Sequence, residues 1–142
     1  TFAGDFTKAF LGVLLGQLVC GEVGGYLAGL FVVIGHCWPV FDGFRGGKGV
    51  ASSYSIAIFT FPLGALGAIL IGGLILLINK KMSIMSLAAM MLFFIANLVF
   101  RLNDLPLVIL AGLLTVVVFV RHADNIQRLI HGEEQRLRKE GK

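Results

Sequence analysis

The sequence predicts an all-α integral membrane protein, a polytopic bundle of helices that cross the bilayer. Of its 142 residues, 57% are hydrophobic and 14% are charged, whereas about 25% of the residues of a soluble domain are charged. The mean hydropathy is +0.91. The apolar residues form runs separated by short polar segments, which is typical of helices connected by loops at the two membrane surfaces.

Six apolar runs are each predicted to form one helical span, and their lengths range from marginal to adequate for the roughly 20 residues that a span takes. The runs are Phe6–Cys20, Val23–Phe41, Val50–Phe59, Leu63–Ile78, Ser83–Phe100 and Leu105–Val120. Only a short segment around Pro62 separates the third and fourth runs, and together they are long enough for a single tilted span. The number of spans therefore depends on whether the chain turns at Pro62.

The distribution of the Lys and Arg residues favours a turn at Pro62. With that turn, eleven of the twelve cations lie on one side of the membrane and only Arg101 lies on the other. If residues 50–78 formed one span, the same cations would divide four against eight. Positively charged residues accumulate in cytoplasmic loops. The sequence therefore predicts six spans, with the cation-rich rim facing the cytoplasm.

The net charge of +4 does not indicate a nucleic-acid partner. The cations lie between apolar runs, as is usual at a membrane surface, and no continuous basic stretch has interleaved aromatic residues. We therefore expect contact with membrane lipid and none with nucleic acid. Residues 127–142 form a charged, amphipathic tail, distinct from a transmembrane domain of residues 1–126, and we expect this tail to be solvated or to lie on the membrane surface.

The cysteines and acidic residues do not indicate a metal or a disulfide. Cys20 and Cys37 fall at opposite ends of adjacent antiparallel spans, on the order of 20 Å apart, so that both are predicted to be free thiols. Neither a zinc-type spacing of Cys and His nor a cluster of carboxylates occurs in the sequence. We expect no metal and no cofactor.

A glycine-rich, basic loop between the second and third runs is the strongest candidate for a binding site. Its four glycines are Gly43, Gly46, Gly47 and Gly49, and its two cations are Arg45 and Lys48. Glycine allows tight turns in which successive backbone N–H groups point into one concavity, and the helix beginning at Val50 adds the positive end of its dipole. This combination predicts a phosphate site, although a flexible connection with snorkelling cations is the simpler alternative.

Three known enzyme patterns do not fit this sequence. The loop is not a nucleotide P-loop, because Gly49 stands where Ser or Thr would hold Mg²⁺. Acyltransferases that use acyl-CoA carry Asp five positions after a catalytic His, whereas those positions hold Phe41, Gln127 and Arg136 here. A GxSxG nucleophile elbow is also absent from the sequence. The sequence therefore excludes these three mechanisms.

The loop and its surroundings resemble a known family in four places. Residues 35–51 include a Gly-His pair, a Pro-Val-Phe triplet and the run GFRGGKG, and they resemble the second signature of the bacterial membrane acyl-phosphate:glycerol-3-phosphate acyltransferases. Residues 121–126, Arg-His-Ala-Asp-Asn-Ile, resemble the third signature. Residues 81–86 match the serine-bearing corner between these two signatures, and residues 5–8 are similar to the family's DxxKG. The family's first helix and its GSGNxGxTNxxR loop are not found before Thr1, so that seven spans are expected in the full protein.

This resemblance implies an acyltransferase of phospholipid biosynthesis. The reaction would move a fatty acyl group from an acyl phosphate to the sn-1 hydroxyl of glycerol 3-phosphate, giving lysophosphatidic acid and phosphate. A soluble phosphate acyltransferase would supply the acyl phosphate. The enzyme would lie in the bacterial cytoplasmic (inner) membrane with its active site facing the cytoplasm. A membrane transporter for a phosphorylated metabolite remains the alternative, because cations at the mouth of a helical bundle suit an anion pathway equally well.

The resemblance also implies roles for individual residues. Lys48, His122 and Asn125 are the expected catalytic residues, and they are expected to bind substrate together with Ser86 and the loop. In the family, the phosphate of the acyl donor is thought to take the hydroxyl proton, which leaves a role of His122 as general base open. His36 is a further candidate ligand, although its imidazole could instead hold the loop in place.

Two serines begin the fifth apolar run. Ser83 is predicted to be the N-cap of that helix, because a serine hydroxyl accepts hydrogen bonds from the free N–H groups of a first helical turn. Ser86 is the expected ligand.

Overall fold

The computed structural model describes residues 1–137, whose regular structure is helical. The helices are α1 (Phe2–Cys37), α2 (Val50–Thr60), α3 (Pro62–Asn79), α4 (Met82–Phe100), α5 (Leu105–Arg121) and α6 (Ala123–Ile130), and a short 3-10 helix covers Val40–Asp42. In the described chain, α1 packs mainly against α2, α3 against α4, and α5 against both α4 and α1. This arrangement forms the predicted all-α bundle.

Helix α1 is a hairpin of two antiparallel arms. Cys20 and Gly21 leave the helical conformation, and Gly21 adopts a φ of +72°. The arms approach so closely that a Cβ on Gly16 would lie 2.5 Å from the carbonyl oxygen of Gly24. The predicted break between the first two apolar runs is therefore confirmed. Cys20 is exposed, Cys37 is buried, and both are free, as predicted.

Helices α2 and α3 form a second hairpin, which confirms the predicted turn at Pro62. Phe61 interrupts the helix with a φ of −144° and a ψ of 78°, and Pro62 begins α3. Proline suits this first helical position because its missing N–H group would have no partner there. Beyond the turn, Ala65 and Ile69 of α3 lie around the same small void as α2 residues such as Tyr54. Helix α3 thus returns along α2.

Helix α2 is short for a membrane span. Its 11 residues extend about 16 Å, whereas a hydrocarbon core is about 30 Å thick. Its serines are buried against the first arm of α1, where the Ser55 hydroxyl donates to the Phe6 carbonyl oxygen at 2.8 Å. A short helix that is buried among its neighbours in this way need not cross the whole hydrocarbon layer.

Three described segments are long and apolar enough to cross a membrane, namely Phe2–Asp42, Pro62–Asn79 and Met82–Phe100. A fourth is obtained if α5 and α6, which meet at a bend of 62°, are taken as one broken span. The first of these segments contains the hairpin of α1. The protein is a multi-pass membrane protein, and the count of six spans stays a prediction.

The bend between α5 and α6 occurs at His122, whose N–H group bonds back to the carbonyl oxygens of Val118 and Phe119. Helix α6 therefore begins at Ala123, so that the predicted boundary after residue 126 falls inside a helix. The predicted boundary was placed where the sequence becomes charged, whereas α6 begins directly after His122, the C-cap residue of α5. The division into two domains stays a prediction. The last residues of the predicted tail, 138–142, lie outside the described chain.

Candidate active site

A cavity of about 720 Å³ opens where α1, α2, α4 and α5 come together at one rim of the bundle. Its described lining includes six of the residues that the sequence singled out. They are His36, Gly47, Lys48, Gly49, Ser86 and His122. Asn125 lines an adjoining cavity of about 670 Å³, which shares Lys48, Met82 and Ser83 with the first. The expected convergence of the glycine loop, the serine corner and the end of α5 is confirmed.

The main cavity combines a polar rim with an apolar wall. The apolar wall includes Phe2, Phe6, Ile58, Ile69 and Met85. Phe2 and Ile58 keep relative accessibilities of 63% and 38%, so this wall is open and not enclosed. The cavity thus joins a polar rim to an open apolar wall, and a molecule with a charged head and a long apolar chain fits this arrangement.

Arg121 holds the glycine loop through backbone carbonyl groups. Its Nη2 donates to the carbonyl oxygen of Gly46 at 2.8 Å, and its Nε donates to that of Gly47 at 3.1 Å. The guanidinium also lies over the ring of Trp38, 5.4 Å from the ring centroid. A planar guanidinium matches such a pair of acceptors and can stack on an aromatic ring at the same time. Arg121 thereby fixes the loop to the end of α5.

The loop also packs tightly onto the end of α1. The N–H group of Gly47 donates to the carbonyl oxygen of His36 at 3.2 Å. The expectation that successive N–H groups of the loop all point into one concavity is therefore wrong at Gly47. Glycine is required at position 46, because a Cβ there would lie 2.0 Å from the His36 carbonyl oxygen, and a Cβ on Gly47 would displace the His36 ring, whose Nε2 would lie 2.1 Å away.

Lys48 and the start of α2 provide the positive charge of the site. Gly49 adopts the left-handed conformation with a φ of +73°, and this turns the chain so that α2 begins at Val50 on the cavity wall. The N-terminus of a helix attracts anions. Arg45 is exposed, and neither Arg45 nor Gly43 is among the described lining residues. Their predicted role in binding remains untested.

The two histidines of the cavity are held in different ways. His122 Nδ1 lies 2.8 Å from the carbonyl oxygen of Val118. Because a carbonyl oxygen only accepts, Nδ1 carries the hydrogen, and Nε2 of the neutral ring keeps a lone pair for a ligand. His36 Nδ1 lies 3.2 Å from Oδ1 of Asp5, and its ring covers Gly47. His36 thus both lines the cavity and supports the loop.

Ser83 differs from what the sequence suggested, whereas Ser86 lies where a ligand could reach it. The prediction that Ser83 caps α4 is wrong, since the N-cap residue is Lys81 and Ser83 lies inside the first turn. There the Ser83 hydroxyl accepts from Asn125 Nδ2 at 2.9 Å and donates to the carboxylate of Glu134. Ser86 lines the cavity, and its hydroxyl donates to the Met82 carbonyl oxygen at 3.0 Å.

Sequence reasoning missed three residues of this region. Arg121 was counted only as a cation and as part of a signature, and its bonds to backbone carbonyls leave no trace in the sequence. Glu134 was assigned to the tail, although Gly132 two positions earlier is a possible turn signal. The hydroxyl of Tyr54 lies buried near Ser86 and has no hydrogen-bond partner within residues 1–137.

Comparisons with known proteins agree with this geometry. Residues 1–132 match the family model described as glycerol-3-phosphate acyltransferase. The chain is 37% identical over 136 residues to a glycerol-3-phosphate acyltransferase of Thermoanaerobacter sp., covering 96% of this chain and 68% of that protein. It is 39% identical over 139 residues to one of Alkaliphilus metalliredigens, covering 96% and 69% of the two chains.

A solved structure has the same fold. It is the crystal structure of PlsY (YgiH), an integral membrane glycerol 3-phosphate acyltransferase, in its glycerol 3-phosphate form. The TM-score is 0.89 at 32% sequence identity, and the match covers 96% of this chain and 69% of that one. The lysophosphatidic acid form of PlsY matches with a TM-score of 0.88. The chain therefore belongs to the glycerol-3-phosphate acyltransferase family.

Proposed function

We propose that this protein transfers a fatty acyl group from an acyl phosphate to the sn-1 hydroxyl of glycerol 3-phosphate. The observation that carries the proposal is the cavity, in which Lys48, Ser86 and His122 surround a polar rim beside an apolar wall. Family membership supports the same activity, and the solved PlsY forms contain glycerol 3-phosphate and lysophosphatidic acid. The rim would receive the phosphates, and the wall would receive the acyl chain.

The proposed reaction is a direct acyl transfer. The hydroxyl oxygen attacks the acyl carbonyl carbon, the bond from that carbon to the phosphate oxygen breaks, and inorganic phosphate leaves with the hydroxyl proton. Lys48 and the start of α2 lower the energy of the leaving phosphate, because fixed positive charge at developing negative charge is often the largest catalytic contribution. Nε2 of His122 keeps a lone pair that can orient the attacking hydroxyl.

The proposal includes the partners and the location of the enzyme. A soluble phosphate acyltransferase would deliver the acyl phosphate, whose chain is too apolar to be abundant in water. Glycerol 3-phosphate is soluble and would enter from the cytoplasm, where the cation-rich rim is expected. The enzyme would then lie in the bacterial inner membrane, and its lysophosphatidic acid product would remain there.

We expect the full-length protein, purified in detergent, to convert palmitoyl phosphate and glycerol 3-phosphate to lysophosphatidic acid. Release of inorganic phosphate should equal the amount of lysophosphatidic acid formed. Palmitoyl-CoA serves as the matched donor and should give no product, because the sequence lacks the His and Asp pair of acyl-CoA-dependent enzymes. Product from palmitoyl-CoA but not from palmitoyl phosphate would contradict the proposed donor.

The proposed orientation predicts where new cysteines can be labelled. In a Cys20→Ser background, which removes the exposed native thiol, Lys80→Cys should react with an impermeant maleimide only from the cytoplasmic side. Asn103→Cys, at the exposed turn between α4 and α5, is the matched control and should react only from the opposite side. Labelling of Lys80→Cys in intact cells would overturn this orientation.

A further inference from the structure

The chain folds back onto the site after α6. Gly132 adopts a φ of +72°, and the N–H group of Glu134 donates to the carbonyl oxygen of Arg128. Further along, the N–H group of Leu137 donates to the carbonyl oxygen of Lys80, at the corner before α4. This return brings the side chain of Glu134 between α6 and the start of α4, where only 8% of it is exposed.

The carboxylate of Glu134 is bound by three side chains. Its Oε1 accepts from the Ser83 hydroxyl and from Asn125 Nδ2, the latter at 2.8 Å, and its Oε2 accepts from Arg128 Nε at 3.1 Å. Asn125 Nδ2 also donates to Ser83 Oγ at 2.9 Å. Ser83, Asn125 and Glu134 therefore close a ring of hydrogen bonds beside Lys48, which lines the same cavity.

This ring determines which atom Asn125 offers to a ligand. An ionised carboxylate only accepts hydrogen bonds, so the amide nitrogen of Asn125, and not its oxygen, must face Glu134. The two hydrogens of that nitrogen are used by Glu134 and Ser83. The remaining polar atom is Oδ1, which can only accept. Phosphate oxygens also accept at neutral pH, whereas a hydroxyl group can donate.

The ionised state that this geometry needs is maintained well below neutral pH. Hydrogen bonds from Ser83, Asn125 and Arg128 outweigh partial burial and lower the pKa of Glu134 from 4.5 to about 2. A lowered pKa means that the contribution of the carboxylate is complete above the ordinary pKa and is lost only as the pH falls towards the lowered value. The ring is therefore intact throughout the neutral range.

We propose that Glu134 is a positioning residue, which fixes the amide of Asn125 so that its oxygen accepts a hydrogen bond from a hydroxyl group of the acyl acceptor. Lys48, which lines the same cavity, is then left to bind the phosphate. The inference rests on the proposed function, because it divides the head group of glycerol 3-phosphate between two parts of that site. The proposal thereby gives a role to Glu134, which lies outside the four segments that resemble the family.

Exchanging the two partners tests this assignment. Asn125→Asp alone places two carboxylates against each other, and we expect kcat/KM to fall by about 100-fold. In the double variant Asn125→Asp/Glu134→Gln, the glutamine amide donates to the aspartate, which still presents an oxygen to the ligand. We expect kcat/KM of the double variant to return to within about tenfold of the wild-type value. A double variant as inactive as Asn125→Asp would overturn the proposal, because an aspartate facing phosphate would repel it.

A second measurement decides the question if the exchanged pair does not fold, as judged by thermal unfolding in detergent. In Asn125→Ala, the KM for glycerol 3-phosphate should rise about tenfold, while inhibition by inorganic phosphate should change by less than about twofold. Equal weakening of both would show that Asn125 binds phosphate and would overturn the proposal. An inactive wild-type protein would instead contradict the proposed function, because the inference depends on ratios between variants of an active enzyme.

Discussion

Replacing Lys48 with alanine is expected to lower kcat/KM for acyl transfer by about 100-fold or more, the loss typical when one preorganised group that stabilises developing charge is removed. Among the described residues that line the main cavity, Lys48 is the one Lys or Arg side chain. It also lines the adjoining cavity with Asn125. Arg136 also lines the adjoining cavity, but it is not part of the described lining of the main cavity, so Lys48 is the cation expected at the reacting phosphate. The assay measures lysophosphatidic acid from palmitoyl phosphate and glycerol 3-phosphate at several concentrations of each substrate.

The matched control for this change is Lys80→Ala. Lys80 is an exposed cation on the same rim, and its side chain is not part of the described lining of either cavity. Both variants lose one charge, so a general effect of surface charge would lower both activities equally. Retention of more than about a third of the wild-type kcat/KM by Lys48→Ala would show that Lys48 does not act at the reacting phosphate.

A single methyl group added at Gly46 should be nearly as damaging. In Gly46→Ala, the new Cβ would lie 2.0 Å from the carbonyl oxygen of His36 and 2.6 Å from that of Cys37. Both contacts are with backbone atoms, which cannot rotate away as a side chain can. The loop must therefore move, and Arg121 then loses its acceptor at Gly46. We expect acyl transfer to fall by about tenfold or more, with a loss of stability of about 1–3 kcal/mol, as is typical of overpacking.

Gly35→Ala provides the comparison for this prediction. Gly35 lies in the same helix end, one residue before His36, and a Cβ at this position would have no neighbour within 4 Å. Alanine also favours the helical conformation over glycine. We therefore expect wild-type activity and an unchanged or slightly higher unfolding temperature. Equal activity of Gly46→Ala and Gly35→Ala would show that the close packing of the loop on α1 is unimportant for catalysis.

The parts of the fold that the sequence predicted depend on local signals. The turn at Pro62 followed from the side on which the cations fall, and the break near Cys20 followed from a polar interruption between apolar runs. The gathering of Lys48, Ser86 and His122 at one rim followed from the same topology, because alternate loops of an antiparallel bundle lie on the same side. Each of these inferences needed only the order of apolar and charged residues.

The features that escaped prediction depend on contacts between distant backbone segments. Glu134 reaches Ser83 only because the chain turns at Gly132, and nothing in the charged tail indicated where that turn would lead. Ser83 had the residue type of an N-cap, but the N-cap of α4 is Lys81, two residues earlier. Arg121 binds two carbonyl groups, which every residue possesses, so that no residue type marks its partners.

The open apolar wall of the main cavity affects how the product leaves. A product that had to pass through water would expose its whole acyl chain, at a cost of about 0.8 kcal/mol for each CH₂ group. Phe2 and Ile58 line this wall and remain exposed, so an acyl chain that lies along them would stay in an apolar environment before, during and after the reaction. Lysophosphatidic acid would then diffuse sideways into the leaflet, and only its small charged head would have to leave the protein.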